Sequence, residues 1–252
     1  MNALKSNKEF LKTPIYIFSD GPKDSEDYAK VKEVRKIISR YNHLGNINII
    51  GYKNNLGLVK SIIQGINYIF ENFGKVIVLE DDILVSEYFL NYMNKALSKY
   101  ANEPKVMQIS AYQYPVEIDI SNDAGFMPFI STWGWGTWRN VWNKFNLKES
   151  IDTKTLVKNK HEFDIDGSYA YTDLLKRQIR KDIKTSWGIF FNWFVFMNNG
   201  LCLYPVKSLV KNEGFDGTGE HCGSSEDFSN GLDNKFKVKF WPDSINIDDE
   251  MY

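Results

Sequence analysis

Val76-Ile77-Val78-Leu79-Glu80-Asp81-Asp82 is the stretch on which the fold turns. A β-branched apolar run of this length reads as a buried strand, and it delivers three consecutive carboxylates at its carboxyl end. Upstream, the same unit is repeated. The apolar run 15–18 stops at Ser19-Asp20-Gly21-Pro22, and Val31, Val34, Ile37 and Ile38 recur at helical spacing through residues 25–40. A second apolar run at 47–50 is followed by the turn Asn54-Asn55-Leu56-Gly57 and by a helix over 58–73 with Ile62, Ile66 and Ile69 on one face. Downstream, residues 89–97 continue as a helix and 106–109 as a fourth strand. Strands alternating with helices predict an α/β domain with a mostly parallel central sheet. In such sheets ligand sites gather at the carboxyl ends of the strands, where Asp20, Asn55 and the acidic triplet all fall.

Beyond residue 125 the alternation fades. Trp133, Trp135 and Trp138 stand in loops, 169–180 and 187–197 read as helices, and 201–204 as a strand. The chain is expected to form one domain, with residues 1–125 as a nucleotide- and metal-binding half and 126–252 as an acceptor-side half. The acidic tail after Trp241 is expected to be loosely held.

Composition narrows the function. Thirty-one basic against 32 acidic residues give a formal net charge of -1, which disfavours a nucleic-acid partner. Cys202 and Cys222 are too few for a disulfide framework, and a reducing cytoplasmic setting fits them. The most apolar run, 187–197, is short of the roughly 20 residues that span a bilayer. Phe190, Phe191, Trp193 and Phe194 are better explained by a buried helix than by peripheral contact at the inner face of a membrane.

Three adjacent carboxylates repel one another unless a cation sits between them, so Glu80, Asp81 and Asp82 point to a divalent metal, Mn2+ or Mg2+. The turn at Asn55 and Gly57, with Lys60 and Ser61 at the opening of a helix, offers backbone amides and a cation to a phosphate or ribose. Asp20-Gly21 stands beside it. Farther on, the glycine-rich run Gly214-Phe215-Asp216-Gly217-Thr218-Gly219-Glu220-His221-Cys222-Gly223 carries His221, whose imidazole can ligate the same metal.

Five ordered blocks carry a resemblance: Ile-Phe-Ser-Asp-Gly-Pro-Lys from Ile17, Asn-Leu-Gly-Leu from Asn55, the acidic strand from Val76, Trp-Gly-Trp-Gly-Thr-Trp from Trp133, and the glycine-rich run from Gly214. Together they resemble bacterial GT-A glycosyltransferases of the family 2 type, similar in layout to the N-acetylglucosaminyltransferase I group. The resemblance implies a Rossmann-like nucleotide-diphospho-sugar transferase fold, with Asp82 on the metal, Glu80 in support and Asp81 near the donor ribose. It implies that Asp20, Gly21, Asn55, Gly57, Lys60 and Ser61 flank the nucleotide. Trp133, Trp135, Trp138 and Trp187 would shape the sugar and acceptor cleft, and His221 would close on the diphosphate.

The chain departs from that pattern twice. Relatives open with a further strand against the nucleotide base, whereas residues 1–12 here are polar; without that strand the edge of its sheet neighbours is exposed and part of the donor pocket is lost, so aggregation or a partner chain is expected, and a homo-oligomer is one such partner. Where the resemblance places a carboxylate base beside Trp187, this sequence has Gly188 and Ile189. An inverting transferase needs a base within reach of the acceptor hydroxyl, and Asp216, Asp182, Asp173 and Glu220 are the candidates; a retaining mechanism stays open. The expected activity is transfer of a hexosyl or N-acetylhexosaminyl group from a nucleoside-diphosphate donor to a hydroxyl of a surface polysaccharide or lipid-linked saccharide. The alternative is a catalytically impaired relative that binds glycan or nucleotide. A sugar-nucleotide pyrophosphorylase is disfavoured, because no arginine-bearing glycine loop follows the first strand.

Overall fold

The computed structural model describes residues 1–181, 184–214 and 232–252. The chain opens with a short helix α1 (Asn2–Lys5) and enters β1 (Ile15–Ser19), α2 (Ser25–Ser39), β2 (Ile47–Gly51), α3 (Leu58–Asn72) and β3 (Lys75–Val78). After the acidic turn come β4 (Ile83–Val85), α4 (Phe89–Lys99) and β5 (Val106–Ser110). The second half contributes β6 (Ala124–Met127), β7 (Trp135–Trp138), the short helices α5 (Arg139–Trp142), α6 (Thr153–Lys158) and α7 (Lys160–Phe163), then α8 (Tyr171–Ile179), α9 (Gly188–Met197), β8 (Leu201–Pro205) and β9 (Val210–Asn212).

The class is mixed α/β, but the central sheet is not mostly parallel. It has five strands in the order β3-β7-β5-β8-β6, with β7 antiparallel to both its neighbours, β6 antiparallel to β8, and only β5 and β8 parallel. Parallel pairing needs a crossover on each return. The alternation that signalled such crossovers ends at β5, so β6 and β7 enter the sheet in the opposite sense. Among the described residues β1 pairs only with β2, in parallel and with Ile15 opposite Ile47, while β4 pairs with β9.

One consequence positions the site. Since β3 and β5 both oppose β7, they run the same way, and β8 runs with β5. Their carboxyl ends therefore share one edge, which carries Glu80, Tyr112 and Val206. Helix α3 ties the outlying β1–β2 pair to this body: it packs on β3, and its Tyr68 meets the rings of Tyr16 at 6.0 Å and Phe18 at 5.8 Å. Gly65 faces the Phe18 ring, which a larger residue would crowd.

The main core draws on both halves of the chain, from Phe10 and Ile66 through Phe89, Met93 and Ile109 to Trp135, Phe191 and Leu203. Every residue of β5 and β8 is buried. Helix α2 shows the converse. Asp24 caps it by accepting from the Glu26 and Asp27 amides, yet no α2 residue is fully buried, and Val34 and Ile37 of its apolar face remain 50% and 52% exposed. Helix α9, apolar all round, is buried as such helices are: Phe190, Phe191 and Trp193 are in the interior, so these three are not a membrane-facing surface. No helix among the described residues is long and apolar enough to cross a membrane.

The tail is docked rather than loose. Trp241 stacks on Tyr92 at 5.6 Å, the Tyr100 hydroxyl donates to the Pro242 carbonyl, and the Asp248 amide donates to Phe126 O at 2.9 Å. Gly125 leaves the space that Met251 fills. Apolar contacts at Trp241 and Met251 outweigh the acidic residues between them: Asp243, Asp249 and Glu250 are exposed, and Asp248 turns inward to accept from the Met251 amide. The amino-terminal segment is also anchored: buried Asn7 donates to Ser86 O and accepts from Leu90 N at 2.8 Å, satisfying an amide at the start of α4.

Candidate functional site

The acidic turn links β3, which pairs with β7, to β4, which pairs with β9. β3 ends at Val78, the Ile83 amide returns to Glu80 O at 3.3 Å, and β4 then pairs with β9, Ile83 opposite Asn212. The Glu213 amide donates to Asp82 O at 2.8 Å, so the chain after β9 runs directly past Asp82. The turn closed by the bond from Ile83 to Glu80 divides the triplet: Asp81 at its tip is exposed, while Glu80 and Asp82 are half-buried. Among the described residues no group of three or more His, Cys, Asp and Glu side chains is arranged to hold a metal. Of the acidic triplet, Glu80 and Asp82 are the two carboxylates drawn in from solvent.

That pair is electrostatically uncomfortable. Burial, then the charges of Asp82 and Asp81, push the Glu80 carboxyl up to about 7. Burial and Asp81 also raise Asp82, against the opposing pull of its own backbone hydrogen bond. Among the described residues Asp82 Oδ1 is buried without a hydrogen-bond partner. An orphaned buried carboxylate oxygen beside a second carboxylate is a donor set that suits a hard divalent cation, which takes one or two carboxylates and completes its shell from water or phosphate.

The second cluster joins the ends of β1 and β2. The Asp20 carboxylate accepts from the backbone amides of Gly21 at 2.8 Å, Leu56 at 2.8 Å and Gly57 at 2.9 Å. Asn55 Nδ2 donates to Gly21 O at 3.0 Å. The two loops touch at the backbone, for a Cβ on Gly21 would fall 2.4 Å from the Asn54 carbonyl carbon. Gly57 has φ +73, a conformation that favours glycine, and opens α3, where Lys60 is exposed and the Ser61 amide bonds to Gly57 O. Asp20 and Asn55 are thus engaged with backbone groups.

Of the tryptophans, Trp135, Trp138 and Trp187 are 0%, 6% and 3% exposed. Trp135 stacks on Trp187 at 4.9 Å, and Trp138 Nε1 donates to Leu97 O. They form core, not a cleft wall. Trp133 alone of the four is half-buried, and it meets Tyr112 edge-on at 4.5 Å, with Tyr114 5.2 Å beyond. Tyr112 and Tyr114 were not singled out from sequence, although an aromatic pair just past β5 marks the same strand edge as Glu80. Asp173 is exposed in the first turn of α8, near the Lys160 charge. Asp182, Asp216, Glu220 and His221 lie outside the described residues. A separate cavity of about 290 Å3, lined by Glu103, Met107, Asn140 and Lys144, opens at the amino end of β5, away from the acids.

No protein-family model matches the chain, and no curated protein matches it in sequence.

Proposed function

We propose that the protein is a metal-dependent GT-A glycosyltransferase, moving a sugar from a nucleoside-diphosphate donor to a hydroxyl of a saccharide or lipid-linked acceptor. The observation that carries this reading is the buried Asp82 Oδ1, unpartnered among the described residues, beside Glu80 at the carboxyl edge of β3. Asp82 and Glu80 would hold Mn2+ or Mg2+. When bound, that ion supplies charge neutralisation for a departing diphosphate. The loop pair joined through Asp20 presents the amino end of α3 on the nucleotide side, and Trp133 with Tyr112 offers aromatic surface to a sugar ring.

The test is titration of the protein with Mn2+ and with UDP, GDP or dTDP, followed by assay of donor hydrolysis or transfer. Binding and turnover that vanish in Asp82→Ala support the reading; undiminished turnover in that variant rejects it. One observation favours a second reading, a relative that binds nucleotide without transfer: Asp173, the only base candidate within the described residues, is an exposed helix residue near Lys160. Nucleotide and Mn2+ binding without turnover on any donor would select it.

A further inference from the structure

Arg35 projects from α2 to the carboxyl ends of β1 and β2. Its Nε donates to Ser19 Oγ at 3.1 Å, and its Nη2 to the carbonyls of Ser19 at 3.2 Å, Asp20 at 3.0 Å and Tyr52 at 2.6 Å. The guanidinium nearly touches Gly51, where an added Cβ would lie 3.3 Å from its central carbon. One planar cation thus gathers the carbonyls that end two parallel strands, a geometry matched to the fixed fork of arginine donors.

Two of those carbonyls flank the peptide that leads into the Asp20 side chain, and that side chain holds the Gly21, Leu56 and Gly57 amides. The Tyr52 carbonyl belongs to the segment that leads to Leu56 and Gly57, so Arg35 grips both loops that Asp20 then joins. We infer that Arg35 is a positioning residue for the nucleotide half of the site, fixing the Asp20-centred junction of the β1 and β2 loops while taking no part in holding the metal. This rests on the donor reading above and assigns the nucleoside diphosphate, as distinct from the cation, to the surface Arg35 organises.

Arg35→Met and Arg35→Lys separate the alternatives. In Arg35→Met the Gly21, Leu56 and Gly57 amides exchange with solvent about 10-fold faster or more, and those of β5 stay as protected as before. Mn2+ affinity, measured without nucleotide, is unchanged, whereas UDP, GDP or dTDP, whichever the native protein binds, loses about 10-fold. Arg35→Lys recovers only part of that loss, because one ammonium cannot reproduce the fork. Unchanged exchange at those three amides overturns the inference, as does a parallel fall in Mn2+ and nucleotide affinity, which marks a general loss of structure. If the native protein binds none of these nucleotides, the donor reading falls and the nucleotide assignment falls with it, while the exchange result decides on its own whether Arg35 fixes the junction.

Discussion

Gly214 abuts Asp82: a Cβ at position 214 would come within 2.6 Å of Asp82 Oδ2, and the neighbouring Glu213 amide donates to the Asp82 carbonyl. Any side chain at 214 must therefore displace the carboxylate. The carboxylate is the end of a movable side chain, so the cost falls on its position more than on the fold. Gly214→Ala is expected to weaken Mn2+ binding by about 10-fold, with thermal stability lowered by less than about 1 kcal/mol. Isothermal titration beside a melting curve reads both. Native Mn2+ affinity in this variant would show that Asp82 Oδ2 is not a ligand.

Glu80 sets a pH dependence with a definite sign. Its folded-state carboxyl is raised from 4.5 to about 7, so the native state binds this proton more tightly than the unfolded chain does. The stabilisation present at low pH is lost as pH rises from about 4.5 through 7. A cation must displace the proton, so apparent Mn2+ affinity is expected to fall by up to about 10-fold per pH unit below 7 and to level off above it. Thermal shifts with and without Mn2+ from pH 5.5 to 8.5 measure this. Glu80→Gln should flatten the profile; a steep profile in that variant would place the titrating group elsewhere.

Asp20 makes the opposite case, a carboxylate with its partners in place. Replacing it by Ala strands the Leu56 and Gly57 amides, and hydrogen bonds to a charged group contribute about 1.5–3 kcal/mol each. Asp20→Ala is expected to destabilise the protein by about 3 kcal/mol in urea unfolding, and Asp20→Asn by less, because one acceptor oxygen remains. A loss below about 0.5 kcal/mol would mean that the amides find water instead.

These contrasts show what the sequence could carry. The apolar runs and period-3.6 patterns from Ile15 to Ser110 placed β1, α2, β2, α3, β3, α4 and β5 to within a residue or two, because each pattern is local. β6 and β7 were missed because Ala124–Met127 and Trp135–Trp138 are short and broken by Gly125 and Gly136, so neither reads as an apolar run. The strand polarity of the second half was unreadable for the same reason. At the acidic turn, composition could not tell that Asp81 is exposed while Glu80 and Asp82 are half-buried. It could not separate the core Trp135 from the half-buried Trp133, since both sit in one run and differ only in tertiary surroundings. Arg35 was invisible: its partners are backbone carbonyls of Ser19, Asp20 and Tyr52, which leave no mark in side-chain composition.

Trp135 gives the sharpest test of that last distinction. It is fully buried, stacked on Trp187 at 4.9 Å and tilted against Trp142 at 6.1 Å, and it pairs across the sheet with Val78, one strand position before the chain leaves for the acids. If its role is packing, Trp135→Ala opens a large void and costs about 3–5 kcal/mol. Trp135→Phe, which keeps most of the ring contact, costs a fraction of that and leaves Mn2+ and nucleotide affinities unchanged. Trp133→Ala is expected to do the reverse, because that ring is half-buried at the strand edge beside Tyr112: little loss of stability, and weaker binding of a sugar-bearing donor relative to the bare nucleoside diphosphate. Chemical unfolding of the three variants, paired with titration of donor and diphosphate, separates the roles. A stable Trp135→Ala protein with impaired donor binding would return that residue to the substrate side of the ledger.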